Sequence, residues 1–138
     1  DTVIHWDVKV QMGEISMTFK AGGGDITKFI GSEGWIGISR SGITAEPKSL
    51  LETKLAPGDV HLPVSARHDQ GFLDAVKSRK PAVSSIDDAV RSDIISHLSD
   101  IAIRTKRKIT WDPKKQTIVG DDDAAKMLSR PVRTAWKL

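Results

Sequence analysis

Hydrophobic and polar positions alternate along the first forty-odd residues, which predicts a β meander. From Val3 to Val10, the side chains of Ile4, Trp6, Val8 and Val10 fall on one face of a strand with a period of two. Met12-Gly13 interrupts the alternation, and Glu14 to Lys20 resumes it, placing Ile15, Met17 and Phe19 together. Gly22-Gly23-Gly24 reads as a flexible interruption before two further strands, Ile26 to Ile30 and Trp35 to Ser39. The intervening Gly31-Ser32-Glu33-Gly34 reads as a four-residue hairpin loop. Ser41-Gly42 then turns the chain into a short segment around Ile43. Consecutive strands with short turns imply an antiparallel sheet.

Glu46 to Pro63 holds three prolines and little periodicity, so a short helical turn at Ser49-Leu50-Leu51 and a connecting loop are expected there. Beyond it the period changes to that of a helix. Ser65 is the expected cap of a first helix, with Asp69 early, Phe72, Leu73 and Val76 as its apolar stripe, and Pro81 as its stop. The next helix has the clearest signature. Ser84 or Ser85 caps it, and Asp87 and Asp88 occupy its first turn. Ile86, Val90, Ile94, Leu98 and Ile101 form its buried stripe. Ile109-Thr110-Trp111 reads as a short strand. Asp121-Asp122-Asp123 is an acidic start to a short helix through Leu128, and residues 131–136 form an extended tail docked through Trp136. Strands first and helices after give an α+β domain: an open, mainly antiparallel sheet with two or three helices on one face. The other face then needs a partner, either another domain or another subunit.

The length of 138 residues suits one domain, here read as spanning residues 1–138. With 38% hydrophobic and 28% charged residues the composition is that of a soluble globular chain, and no apolar run approaches the roughly 18 residues of a membrane span. The start at Asp1 shows no signal peptide and is read as that of a processed product or of part of something longer. The chain has no cysteine, which excludes disulfides, thiolate nucleophiles and cysteine-ligated metals. The cytoplasm is the expected compartment and the periplasm the alternative.

The net charge of +3 is unevenly spread: residues 1–69 hold 7 Lys+Arg and 9 Asp+Glu, the remainder 14 and 9. Arg104, Lys106, Arg107 and Lys108 account for part of the excess. They follow the long helix, where cations complement exposed carbonyls, so a solvated basic face is preferred over an anion or nucleic-acid site.

Candidate chemistry is sparse. The three glycines have a strand signal on either side, whereas a dinucleotide fingerprint needs a strand, a spaced glycine loop and a helix whose N-terminus meets the pyrophosphate. The acidic triplet lacks the spaced oxygen ligands of a calcium loop. No nucleophile elbow or metal-spaced histidine pattern occurs, so no catalytic or metal residue is assigned. His5 and His97 read as structural. His61 and His68, with Arg67, flank a loop-to-helix junction of the kind that gathers polar groups, and these three are the candidate substrate-binding residues.

Phe29-Ile30-Gly31-Ser32-Glu33-Gly34-Trp35-Ile36 resembles the F-x-G-x-E-G-W-I segment of bacterial members of the glucose–fructose oxidoreductase / inositol dehydrogenase / MocA family, with Ala45-Glu46-Pro47 at the familiar distance. His68 to Arg79, containing Phe72-Leu73-Asp74-Ala75-Val76, is similar to the H-x-x-x-F-L-D-A-V-x-S-R helix of that group. Trp111-Asp112-Pro113, Val119-Gly120-Asp121 and Arg130-Pro131, with Arg133 and Trp136, resemble its closing segments. The resemblance implies the C-terminal part of an NAD(P)-dependent sugar or polyol oxidoreductase, which shapes the substrate pocket and builds subunit contacts. A Rossmann domain, of the same protein or a homologous subunit, would bind NAD or NADP. That domain's fingerprint, the family's Glu-Lys-Pro segment and its catalytic histidine region have no counterpart here, so no bound cofactor and no activity are expected of this chain alone. A homo-oligomer formed through the exposed sheet face is expected, with neither nucleic acid nor membrane as partner. The alternative is a stand-alone carbohydrate-binding or self-association module derived from such a domain.

Overall fold

A computed structural model of the chain describes residues 3–22, 24–65 and 67–130. Its strands are β1 (Asp7–Met12), β2 (Ile15–Lys20), β3 (Ile26–Gly31), β4 (Gly34–Ser39), β5 (Gly42–Glu46), β6 (Trp111–Asp112) and β7 (Thr117–Ile118). Its helices are α1 (His68–Ser78), α2 (Ile86–Thr105) and α3 (Asp122–Lys126), and a 3-10 turn spans Lys48–Glu52. The α+β class and the antiparallel strands agree with the sequence reading. The strands divide into sheets of two, three and two, β1-β2, β3-β4-β5 and β6-β7, and none closes into a barrel. The chain forms two compact units, Lys20–Val83 on one hand and Asp1–Phe19 with Ser84–Leu138 on the other. The tail expected over 131–136, with Arg133 and Trp136, lies outside the described residues.

In the Lys20–Val83 unit, β3, β4 and β5 form a continuous antiparallel meander. The expected four-residue loop is shorter, because Gly31 and Gly34 pair with each other and only Ser32-Glu33 turns. Gly34 has φ +146°, and a Cβ there would lie 2.1 Å from the carbonyl oxygen of Glu46 and 2.8 Å from Cδ of Pro47. Glycine is therefore what lets β5 approach the hairpin end this closely. Register places Phe29, Ile36, Ile38, Ile43 and Ala45 on one face. Ala45 is buried, while Phe29, Ile38 and Ile43 remain exposed. On the opposite face Trp35 lies against Gly37, and Nζ of Lys28 stands 4.0 Å above the Trp35 ring, a cation–π contact.

In the other unit, β1 and β2 pair through a Gly13-Glu14 turn, and Trp6 packs against Phe19 with ring centroids 5.6 Å apart. The indole Nε1 of Trp6 is buried without a hydrogen-bond partner. Ser85 caps α2 by accepting from the backbone N–H of Asp88, as its place before two acids predicts. The predicted stripe of α2 is covered only toward its C-terminus. Ile101 is buried with Ile118 and Ala124, and Leu98, Ile109 and Trp111 pack around them, whereas Ile86 is 75% exposed. The single strand expected at 109–111 is instead a hairpin, β6-β7, closed around Asp112, whose Oδ1 accepts from the N–H groups of Lys114 and Lys115. Asp121 caps α3 by accepting from the N–H of Ala124, and Arg107 Nε meets its other carboxylate oxygen at 3.0 Å.

Candidate functional site

The loop before α1 is held by its own polar groups. Asp59 accepts from the N–H of Ala56 and returns its own N–H to the Ala56 carbonyl, closing the Ala56-Pro57-Gly58-Asp59 turn. The same carbonyl meets Nε2 of His61 at 3.1 Å, so His61 folds back onto its own loop. Ser65 does not cap the helix. Its hydroxyl donates to the carbonyl of Arg67, and Arg67 itself, in extended conformation, is the residue that precedes α1. Two intervening residues put Ser65 outside the first turn, where its oxygen has no free helical N–H within reach.

Arg67 grips Asp69 through two hydrogen bonds, Nη2 to Oδ2 at 2.6 Å and Nε to Oδ1 at 3.3 Å. The guanidinium, with help from the backbone N–H of Gln70, holds the Asp69 carboxyl below its ordinary value of 3.8. Both side chains are exposed, so the pair fixes the direction of Arg67 more than it stabilises the fold. His68 opens α1 and is exposed.

Arg67 stands at one end of a cleft of about 450 Å³ that runs along α1. Gln70, Asp74 and Ser78, four residues apart, line it as a polar row, and Gly71 and Ala75 form its floor. Val64 and Ser65 from before the helix and Pro81 and Val83 from after it supply the walls. Gln70 Nε2 donates to Asp74 Oδ1 at 2.7 Å, leaving the second oxygen of Asp74 to accept from a ligand. A Cβ on Gly71 would come within 2.9 Å of the Ser65 hydroxyl, so glycine lets Ser65 close over the helix. The cleft thus joins aliphatic side chains to a row of mixed hydrogen-bond donors and acceptors.

Of the three residues singled out from sequence, the structure places Arg67 in this cleft. His61 and His68 are not among its lining residues, and among the described residues no hydrogen bond joins the three. Gln70, Asp74 and Ser78 escaped the sequence reading, although their spacing of four beside a Gly–Ala row is the signal that finds them. His97 is exposed, and its Nε2 lies 3.0 Å from Oδ2 of Asp93. Arg104 and Arg107 of the basic cluster are held by Asp100 and Asp121 at 2.7 and 3.0 Å, which accounts for them without a ligand.

Among the described residues no group of three or more His, Cys, Asp or Glu could hold a metal ion, and no helix is long and apolar enough to cross a membrane. Among the described residues the glycine cluster does not open a dinucleotide-binding helix. Gly22 and Gly24 link β2 to β3, so no helix N-terminus follows the glycines to receive a pyrophosphate. Residues 50–138 match the family model described as "Oxidoreductase family, C-terminal alpha/beta domain". Neither the curated proteins nor the solved structures gave a match. The matched stretch contains the whole cleft.

Proposed function

Because the chain belongs to the glucose–fructose oxidoreductase / inositol dehydrogenase / MocA oxidoreductase family, through that family's C-terminal domain, we propose that its 138 residues form the substrate-binding and assembly domain of an NAD(P)-dependent sugar or polyol oxidoreductase. The observation that carries this reading is the α1 cleft. Its free Asp74 oxygen, the Gln70 amide and the Ser65 and Ser78 hydroxyls offer the paired donors and acceptors that vicinal hydroxyls require, and Val64, Pro81 and Val83 offer apolar surface for C–H groups. Arg67 bounds the cleft and is its candidate from the sequence reading; His61 and His68, the other two candidates, do not line the cleft. Hydride transfer and NAD(P) binding belong to a Rossmann domain, of the same protein or a homologous subunit. The exposed face carrying Phe29, Ile38 and Ile43 is the docking surface for such a partner.

The test is a titration of the chain with a panel of monosaccharides and polyols, read by amide chemical shifts. Expected are shifts confined to α1 and residues 64–83, and at least tenfold weaker binding for Asp74→Ala. Shifts elsewhere, or none at millimolar ligand, would sink the cleft assignment. Calorimetry with NAD and with NADP is expected to give no binding heat.

A further inference from the structure

The side chains that line the α1 cleft have spent most of their donors inside the protein and kept their acceptors. The Ser65 hydroxyl gives its proton to the Arg67 carbonyl, and Gln70 Nε2 gives one N–H to Asp74 Oδ1. Arg67 gives Nε and Nη2 to Asp69. The Ser65 oxygen, Oε1 of Gln70 and the second carboxylate oxygen of Asp74 retain lone pairs for a ligand. The Ser78 oxygen accepts from the N–H of Lys80 at 3.4 Å, which leaves its proton to donate.

Charge is distributed the same way. Only Arg67 and Asp74 among the lining residues are charged at neutral pH. The guanidinium is matched by the carboxylate of Asp69, which grips it at two points. Asp74 has no such partner among the described residues: it receives a neutral amide N–H and forms no ion pair. The uncompensated charge of the cleft is therefore negative. A hydroxyl group brings an acceptor oxygen with every donor it offers, and a carboxylate brings acceptors alone. An ammonium group brings three donors, no acceptor and a positive charge.

We propose that the ligand of this cleft is a polyhydroxylated molecule carrying a primary ammonium group, an amino sugar or aminopolyol, whose ammonium meets the free oxygen of Asp74. A ligand hydroxyl oxygen takes the Ser78 proton one helical turn further on, roughly 6 Å along the axis. Val64, Pro81 and Val83 cover its C–H groups. This inference rests on the cleft as the substrate site and narrows the class of substrate that it takes.

The test compares three compounds built on one carbon chain: 1-amino-1-deoxysorbitol, sorbitol and gluconate. A primary alkylamine, like that of Lys with its pKa of about 10.4, is charged at pH 7. Each compound is titrated into the full chain at pH 7 and low salt, read by the amide shifts of α1. Asp74 is exposed, so the aminopolyol is expected to bind roughly two- to fivefold more tightly than sorbitol, and gluconate more weakly than either. The preference should shrink at about 1 M salt, where the screening length is about 3 Å. Asp74→Asn, which keeps an oxygen for Gln70, should bring the aminopolyol-to-sorbitol ratio to about one. Asp69→Asn leaves the Arg67 charge unmatched and should tighten gluconate roughly two- to fivefold. Sorbitol binding as tightly as the aminopolyol overturns the inference and leaves the cleft as the substrate site. A preference that survives Asp74→Asn overturns it as well. Absence of α1 shifts with all three compounds overturns both the inference and the reading beneath it.

Discussion

Gly34→Ala probes the tightest backbone approach in the Lys20–Val83 unit. Two costs act at that position and a pair of neighbouring glycines separates them. The first is conformational: φ +146° lies in a region reserved for glycine, at a cost of about 1–3 kcal/mol for any other residue. The second is steric, since the new methyl would lie 2.1 Å from the Glu46 oxygen and 3.0 Å from its carbonyl carbon. Those are backbone atoms of a paired strand, which cannot swing aside as a side-chain tip can. Relief requires β5 to withdraw, breaking the Trp35–Glu46 pairing, and overpacking of this kind costs about 1–3 kcal/mol more. Gly42→Ala meets φ +141° with nothing within 4 Å and so reports the conformational cost alone. Gly31→Ala has an ordinary φ and only the Gly34 oxygen at 3.9 Å, and should be close to neutral. The assay is urea denaturation followed through the amide resonances of β4. The expected order of loss is Gly34 above Gly42 above Gly31, with Gly34→Ala costing about 2–6 kcal/mol in all. Equal losses for Gly34→Ala and Gly42→Ala would refute the steric argument, and a Gly34→Ala loss below about 0.5 kcal/mol would refute both parts.

Asp121→Ala removes the cap of α3 and the partner of Arg107 together and should cost about 1–2 kcal/mol in thermal unfolding, whereas Asp121→Asn keeps a capping oxygen and should recover most of the loss. Ile101→Ala should cost about 2–4 kcal/mol by opening a cavity against Ile118 and Ala124, and a loss under 1 kcal/mol would show that this cluster is not the core of its unit. Trp6→Phe should be near neutral in the same assay, because the lost ring area is offset by removing a buried N–H without a partner. The depressed pKa of Asp69 sets a pH response: the folded carboxyl binds its proton less readily than the unfolded one, so the Arg67 pair is fully formed above pH 3.8 and is lost as pH falls through the lowered folded value. A carboxyl-carbon titration should place the Asp69 midpoint below 3.8, and Arg67→Ala should return it toward that value.

The elements written in local signals were legible before any coordinates. Ser84 or Ser85 before Asp87-Asp88, and the acidic triplet 121–123, marked two helix starts within one turn, and the structure assigns the caps to Ser85 and Asp121. The β3–β5 meander followed from alternation between glycine turns. What sequence did not show either is too short for a period to be read or depends on which groups fold over an element. The β6-β7 hairpin has two residues per strand, too few for any period, and Asp112 holds it through turn hydrogen bonds. Ile86 and Val90 share the spacing of Ile101 but not its burial, because the covering groups, Ile118 and Ala124, reach only one end of α2. The cleft was hidden for a related reason: the stripe of Phe72, Leu73 and Val76 drew attention to one face of α1, while the chain before and after the helix folds over the other.

The division into a continuous and a discontinuous unit sets an order of folding. Lys20–Val83 leaves the ribosome as one stretch, and its three-stranded meander joins neighbours in sequence, so it can form while α2 is still being made. The unit that unites Asp1–Phe19 with Ser84–Leu138 must wait until its second segment has been made, and its closure spans the whole intervening stretch. By loop-closure scaling that wait carries an entropic term of roughly 4 kcal/mol, reduced when the intervening stretch is already compact. The early strands β1 and β2 are thus the part of the nascent chain left longest without their own unit, and chaperone capture during synthesis is expected to fall on them.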